Sequence, residues 1–314
     1  MINMESLMAI SKIFIVGAGN IGASCAEVMA RKQLGHVHLY DINENFAIGQ
    51  VMDINQASPS FGSDTIVRAC NSINSLEGSD VVIITAGLPR HEGMSRLDLL
   101  MHNKKIVQSI GKSVMSCCPL AKVLLITNPV DVLTLYLKDK WPSMNVFGLG
   151  CALDALRFRF FISEAVGVSV NSVAGMVIGL HSNNMIPLIN YATAGGIPIR
   201  HMLTLSEIEA IINKTKEAGT TIVSKLINRS GFYAASNTIA EIIESMVFNK
   251  CAIFPLSIPC NGEYGYNDIC LALPSVVGDN GVHRVITHDL DRDERVMLDQ
   301  CANEIINIIK NLRN

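Results

Sequence analysis

The residues able to do chemistry in this chain stand where apolar runs end. His181 closes the run VAGMVIGL and opens the polar turn HSNN, and Asn128 closes VLLITN just ahead of Pro129. Asp154 and Arg157 lie three positions apart in GLGCALDALRF, while Arg90 and Arg96 share the segment TAGLPRHEGMSRLDLL, between an apolar run and a helical one. An imidazole exchanges protons near neutral pH. His181 is therefore the candidate for proton exchange, and the charged residues are candidates only where they have partners.

Each has a plainer reading. Asp154 and Arg157 form the i,i+3 pair of an ordinary helix surface, yet Phe158, Phe160 and Phe161 surround them, and charges among apolar neighbours need partners. Asn128 serves either as a helix N-cap or as an amide for a ligand, and both roles stand open. His36, His38, His283 and His288 have weaker claims than His181, which falls at the carboxyl end of an expected strand, where α/β proteins bind their ligands.

GAGNIG, comprising Gly17, Ala18, Gly19, Asn20, Ile21 and Gly22, fits the pattern G-x-G-x-x-G. It follows an apolar strand, opens a helix, and is followed about 20 residues on by Asp41 at the end of the next strand, the context a dinucleotide fingerprint requires. The glycines let backbone N–H groups approach a pyrophosphate at a helix N-terminus, and the Asp41 carboxylate accepts hydrogen bonds from ribose hydroxyls. A carboxylate there repels a 2′-phosphate, so NAD is favoured over NADP. A methyltransferase binding S-adenosylmethionine uses a similar acidic residue, and the motif alone leaves the chemistry open.

The elements that must position these groups alternate. KIFIVGAG, HVHLYD, TIVRAC, DVVIITAG, AKVLLITN and NVFGLG read as strands separated by helical stretches. Continuously apolar strands in βαβ alternation imply a parallel sheet covered on both faces, a doubly wound α/β fold of the Rossmann kind. After about residue 150 the pattern changes to a helix (DALRFRFFISEAVG), a strand (SVAGMVIGLHS), helical regions from Ser206 to Lys250, short strands and turns around NGEYGYND, and a terminal helix that opens with acidic residues. Two domains without a flexible linker are expected: a dinucleotide-binding domain over 1–150 and an α+β substrate domain over 151–314.

Composition narrows the partners. The 314 residues are 49% hydrophobic and 17% charged, a balance that supports a well-buried core. With 25 Lys+Arg against 28 Asp+Glu there is no basic footprint for nucleic acid. Nine Cys without CxxC spacing suit reduced, mostly buried thiols in a cytoplasmic setting, with no metal site expected. The N-terminus lacks a basic region and a long apolar run, so neither a signal peptide nor a membrane span is expected.

GAGNIG, Asp41, TAGLPRHEGMSRLDLL, ITNPVDVL, LDALRF, the His181 turn, NGEYG and VVGDNGV occur in the order found in the lactate/malate dehydrogenase family. From Lys12 onward nearly the whole chain resembles that family, most of all its malate-specific members of lactate-dehydrogenase-like type. The resemblance implies NAD as cofactor, His181 as proton acceptor and donor, Asp154 as the carboxylate that orients it, and Arg157 as the fork for the substrate's C1 carboxylate. It implies that the segment around Arg90 and Arg96 is a lid. Arg96 would polarise the C2 carbonyl, and Arg90 would select a second carboxylate where lactate-specific members commonly carry glutamine. Asn128 would contact substrate, Ile126, Thr127 and Asn128 would line the nicotinamide pocket, and Asn103 would approach NAD. Gly231 falls where lactate-specific members commonly have threonine. A cytoplasmic homotetramer or homodimer working in the tricarboxylic acid cycle on malate and oxaloacetate is the corresponding expectation.

The chain also departs from the family's pattern. HSNN stands where His-Gly-Asp-Ser is usual, Ala155 replaces a usual Ser or Thr, and Glu92 enters the lid. Losing a glycine beside the base removes backbone freedom, and losing an aspartate removes a charge. Altered rate or pH dependence is expected. A lactate or broader 2-hydroxy acid dehydrogenase, and an idle NAD-binding protein, are the competing readings.

Overall fold

A computed structural model describes residues 12–88, 94–227 and 230–313, without the side chains of Arg96 and residues 311–313. The strands β1 (Lys12–Val16), β4 (Val81–Ile84), β5 (Lys122–Leu125) and β6 (Asn145–Gly148) are unbroken apolar runs and are buried almost throughout. That pattern belongs to strands with a layer on each face. Outward of β1, β2 (His36–Tyr40) and β3 (Arg68–Cys70) carry exposed and half-buried positions, as strands toward an edge do. All six pair in parallel in the order β3-β2-β1-β4-β5-β6. The helices α1 (Asn20–Arg31), α2 (Glu44–Phe61), α3 (Arg96–Cys117) and α4 (Val130–Lys140) connect them, with a 3₁₀ turn at Ile73–Leu76 between β3 and β4. The order reverses between β1 and β4, and ligands of such sheets bind at that reversal.

α5 (Ala152–Val166) then leads into five two-residue strands: β7 (Val173–Ala174), β8 (Val177–Ile178), β9 (Ile186–Pro187), β10 (Thr193–Ala194) and β11 (Ile197–Pro198). The expected single strand SVAGMVIGLHS is therefore broken. Gly175 lies against Phe158, where an added Cβ would come within 3.0 Å of the ring, and Gly179 adopts φ +96°, so the chain turns at both. α6 (Leu205–Lys225) starts at a capping box between Thr204 and Glu207, and α7 (Tyr233–Val247) packs against α1.

The second correction concerns the region around NGEYGYND. It is the turn of a long hairpin, β12 (Ala252–Asn261) with β13 (Asn267–Gly278), followed by β14 (Gly281–Val285). Pro255 and Pro259 break the sequence signature of a strand, yet both sit within β12, which pairs with β13 over most of its length. Ser257 of β12 pairs antiparallel with Gly148 of β6, so the parallel sheet continues into the second half as β6-β12-β13-β14 and reaches nine strands. α8 (Arg292–Arg313) lies against β13.

One core runs along the whole sheet through Phe14, Ile83, Leu124, Phe147, Leu256 and Leu273. A smaller one sits beneath α5 around Phe158, Ile162, Ile199 and Ile208. No helix among the described residues is long and apolar enough to cross a membrane. All nine cysteines are unpaired and most are buried.

Candidate active site

The glycine-rich turn connects β1 to α1 at the sheet's reversal. Gly17 has φ +109°, and a Cβ there would lie 2.7 Å from Thr85 Oγ1 and 2.8 Å from the Ala86 nitrogen. A Cβ on Gly22 would lie 1.8 Å from the Gly17 carbonyl oxygen, so the helix seats on the strand only because that atom is missing. Gly19 differs, because a Cβ there would meet nothing within 4 Å. The protein's own packing does not demand Gly19, and its bareness leaves space for an outside group to reach the backbone. Gly19 and Asn20 are exposed and Ile21 half-buried, and Gly19 caps α1 without a side-chain hydrogen bond, so the first amides of α1 face outward. Ala18, fully buried, donates its N–H to Asp41 Oδ2 at 2.8 Å, and Asp41 Oδ1 accepts from Asn43 N at 2.9 Å. A bare backbone approach, uncapped helix amides and a carboxylate at the end of β2 fit the pyrophosphate and ribose of a dinucleotide.

Asp154 lies in the first turn of α5 with no exposed surface. Its Oδ2 is 2.6 Å from His181 Nδ1 and its Oδ1 is 3.2 Å from Arg157 Nη1. A carboxylate only accepts, so Nδ1 of His181 carries the proton and donates, which leaves Nε2 as the working nitrogen. The negative charge of Asp154 is the main reason that the His181 pKa is raised above the ordinary histidine value, against the opposing effect of burial. Arg157 keeps Nε buried with no hydrogen-bond partner among the described residues. The i,i+3 pair is thus largely enclosed, with 15% of the arginine side chain and none of the aspartate exposed.

The ends of β4 and β5 lie beside the glycine-rich turn, where Thr85 Oγ1 donates to the Gly17 carbonyl oxygen at 3.0 Å. Ile126 and Thr127 are buried, and Thr127 Oγ1 donates to the carbonyl oxygen of Ala86 at 2.8 Å. Asn128 is exposed and stands before a cis peptide bond to Pro129. Its Oδ1 accepts a long hydrogen bond from Val130 N at 3.4 Å, while Pro129 occupies the N-cap position of α4.

Asn103, on α3, is almost fully buried. Its Oδ1 accepts from Leu88 N at 2.8 Å, and its amide donates to the carbonyl oxygens of Asn128, at 2.7 Å, and Leu88, at 3.3 Å. Both amide protons are spent on backbone, so this residue ties the end of β5 to the segment after β4. Ser95 caps α3 in a capping box with Asp98, as the turn into a helix at that point requires. Arg90 lies outside the described residues. Arg96 is the first residue of α3, and its side chain lies outside them too. Gly231 stands against α6, where an added Cβ would come within 2.9 Å of Ile222 Cγ2.

The turn HSNN closes without glycine. Ser182, Asn183 and Asn184 keep negative φ, so the freedom of a glycine is not needed. Ser182 Oγ accepts from Asn184 N at 3.2 Å, Asn184 Nδ2 donates to Glu304 Oε2 at 2.6 Å, and the Cys301 thiol reaches the Asn184 carbonyl oxygen at 3.3 Å. Side chains and the terminal helix α8 hold the turn that carries the imidazole.

Local sequence gave no reason to single out Asp131 or Ser257. Asp131 Oδ2 accepts from the His181 backbone N–H at 3.0 Å, and Ser257 Oγ donates to Asp131 Oδ1 at 2.5 Å. In ITNPVD the aspartate reads as an ordinary first-turn residue of a helix, and its partners come from positions 50 and 126 residues away.

Residues 11–148 match the family described as lactate/malate dehydrogenase, NAD binding domain, and residues 151–314 match lactate/malate dehydrogenase, alpha/beta C-terminal domain. A malate dehydrogenase of Desulforudis audaxviator is 36% identical over 96% of this chain and 98% of its own. The crystal structure of Cryptosporidium parvum malate dehydrogenase superposes with a TM-score of 0.92 at 36% identity, covering 97% of this chain and 99% of that one. The lactate dehydrogenase of Eimeria maxima with NADH and oxamate gives the same TM-score at 35% identity, covering 97% and 94%.

Proposed function

Because the chain belongs to the lactate/malate dehydrogenase family, we propose that it is an NAD-dependent malate dehydrogenase that interconverts (S)-malate and oxaloacetate. The observation that carries the acid–base reading is the 2.6 Å contact between His181 Nδ1 and Asp154 Oδ2. NAD, when bound, accepts or returns a hydride at the nicotinamide ring. In malate oxidation the Nε2 of His181 takes the hydroxyl proton, and in oxaloacetate reduction the imidazolium gives it back. Asp154 stabilises the imidazolium in both directions. Arg157, paired through Nη1 with the Asp154 that holds the base, binds the C1 carboxylate, and Asn128 contacts the substrate.

Arg90 and Arg96 supply the remaining charge. Oxaloacetate carries a second carboxylate where pyruvate has a methyl, and a water-poor site tolerates that charge only with a cation. Arg90 is that cation in this reading, and Arg96 polarises the C2 oxygen. Asp41 and the turn Gly17–Gly22 select and hold NAD, with Ile126, Thr127 and Asn128 along the nicotinamide. Asn103 acts by fixing the backbone of Leu88 and Asn128. The family resemblance supports a cytoplasmic homo-oligomer, a tetramer or a dimer, acting on malate of the tricarboxylic acid cycle.

The test is the rate of NADH oxidation by the purified protein with oxaloacetate and with pyruvate at equal concentrations. Strong preference for oxaloacetate is the expected result. Preference for pyruvate would move the chain to the lactate side, and NADH binding without turnover would make it an idle binder.

A further inference from the structure

Asp131 is a carboxylate with almost no exposed surface, placed in the first turn of α4 and used by none of the steps above. Burial raises its pKa, opposed first by the Ser257 hydroxyl and then by the His181 N–H. A buried carboxylate is costly and persists where its oxygens are satisfied. Both are satisfied here, and by two different parts of the chain. Oδ2 takes the backbone N–H of the residue that carries the imidazole, and Oδ1 takes the hydroxyl of Ser257 on β12, at the point where β12 pairs with Gly148 of β6. α4 itself begins directly after Asn128 and Pro129, so one carboxylate ties the His181 backbone both to the substrate-facing end of β5 and to the antiparallel extension of the sheet.

His181 needs that restraint more than a residue inside a regular strand does. It lies beyond β8, in an irregular stretch held on its far side by short-range backbone bonds, Ser182 N–H to the Leu180 carbonyl oxygen at 2.7 Å and Met185 N–H to that of Ser182 at 3.0 Å, and by the contacts of Asn184 with Glu304 and Cys301 of α8. The charged groups facing the imidazole are Asp154 and Arg157 from α5 and Asp131 from α4. We propose that Asp131 is a positioning residue of the proton-transfer site: it fixes the His181 backbone so that Nδ1 meets Asp154 and Nε2 meets the substrate, and its negative charge adds to that of Asp154 in favouring the imidazolium. This rests on His181 being the acid–base group.

Two substitutions separate position from charge. Asp131→Asn keeps an oxygen for the His181 N–H and removes the charge, while its amide donates to Ser257 Oγ and so reverses the direction of that hydrogen bond. Asp131→Ala removes both. The first readout is the imidazole pKa of His181, followed by NMR in the NADH-bound and free protein with His181→Gln as the assignment control; the second is the pH profile of kcat/KM for oxaloacetate. Asp131→Asn is expected to lower the His181 pKa by roughly half a unit to one unit, with the melting temperature and NADH affinity held. Asp131→Ala is expected to lower kcat about tenfold or more with the KM for NADH unchanged, because a displaced base loses alignment. An unaltered imidazole pKa in Asp131→Asn, or an unaltered kcat in folded Asp131→Ala, would overturn the proposal. Since the NMR titration does not require turnover, a protein inactive toward oxaloacetate defeats the malate reading while the pKa comparison still decides the role of Asp131.

Discussion

Asp154 divides its two oxygens between His181 Nδ1, at 2.6 Å, and Arg157 Nη1, at 3.2 Å, from a position with no exposed surface. One buried charge therefore orients both the proton-transfer group and the guanidinium beside it. Asp154→Asn keeps the shape and removes the charge. Its kcat for oxaloacetate reduction is expected to fall by about a hundredfold or more, with NADH affinity within about twofold of wild type. Single-turnover kinetics and NADH fluorescence titration check the two halves, and an unchanged kcat would remove Asp154 from the mechanism.

The same pair sets the pH dependence. The His181 pKa is raised by Asp154, and oxaloacetate reduction consumes the imidazolium. Reduction is expected to hold through the ordinary histidine range near about 6.5 and to fall about tenfold per pH unit only above the raised pKa, while malate oxidation rises as pH approaches that pKa and levels off above it. The stability contribution carries the same sign. A raised pKa in the folded state stabilises fully below the unfolded value and is lost as pH rises through the folded one. Chemical denaturation across pH 6 to 9, in wild type and Asp154→Asn, is expected to show that loss in the wild type alone.

Arg90 tests substrate choice without touching the acid–base pair. Arg90→Gln removes the cation proposed for the second carboxylate, and the ratio of kcat/KM for oxaloacetate over pyruvate is expected to drop about a hundredfold. Steady-state kinetics with both acids decide it. A ratio that does not move would assign the dicarboxylate preference to another residue.

Asp41 tests cofactor choice. Its Oδ2 holds the Ala18 N–H at 2.8 Å, so the carboxylate both shapes the glycine turn and presents negative charge at the end of β2. Asp41→Asn retains an oxygen for Ala18 and drops the charge. The preference for NADH over NADPH, as a ratio of kcat/KM, is expected to fall at least about tenfold. Equal loss with both cofactors would mean that Asp41 acts on the turn and not on the ribose.

The sequence alone determined the parts whose causes are local. Unbroken apolar runs in βαβ alternation place β1, β4, β5 and β6 in a two-sided parallel sheet. Gly17 to Gly22 mark the turn at its reversal, and the change from an apolar run to a helical one across TAGLPRHEGMSRLDLL marks where α3 begins. His181, Asp154 and Arg157 were legible as candidates because costly polar groups interrupt apolar surroundings. What required the tertiary structure was everything held by distant partners. SVAGMVIGLHS looks like one strand until Phe158 and the φ of Gly179 break it. β12 hides behind Pro255 and Pro259 and forms because β6 and β13 pair with it. Asn103 is expected beside NAD by resemblance, and what it meets, the backbone of Leu88 and Asn128, is visible only in the fold. Asp131 meets His181 and Ser257 only because α4, the irregular stretch after β8 and the antiparallel extension converge on one point. Periodicity reports which way a side chain faces relative to its own element; which atoms it meets there depends on how separate elements pack, and that information is spread over the whole chain.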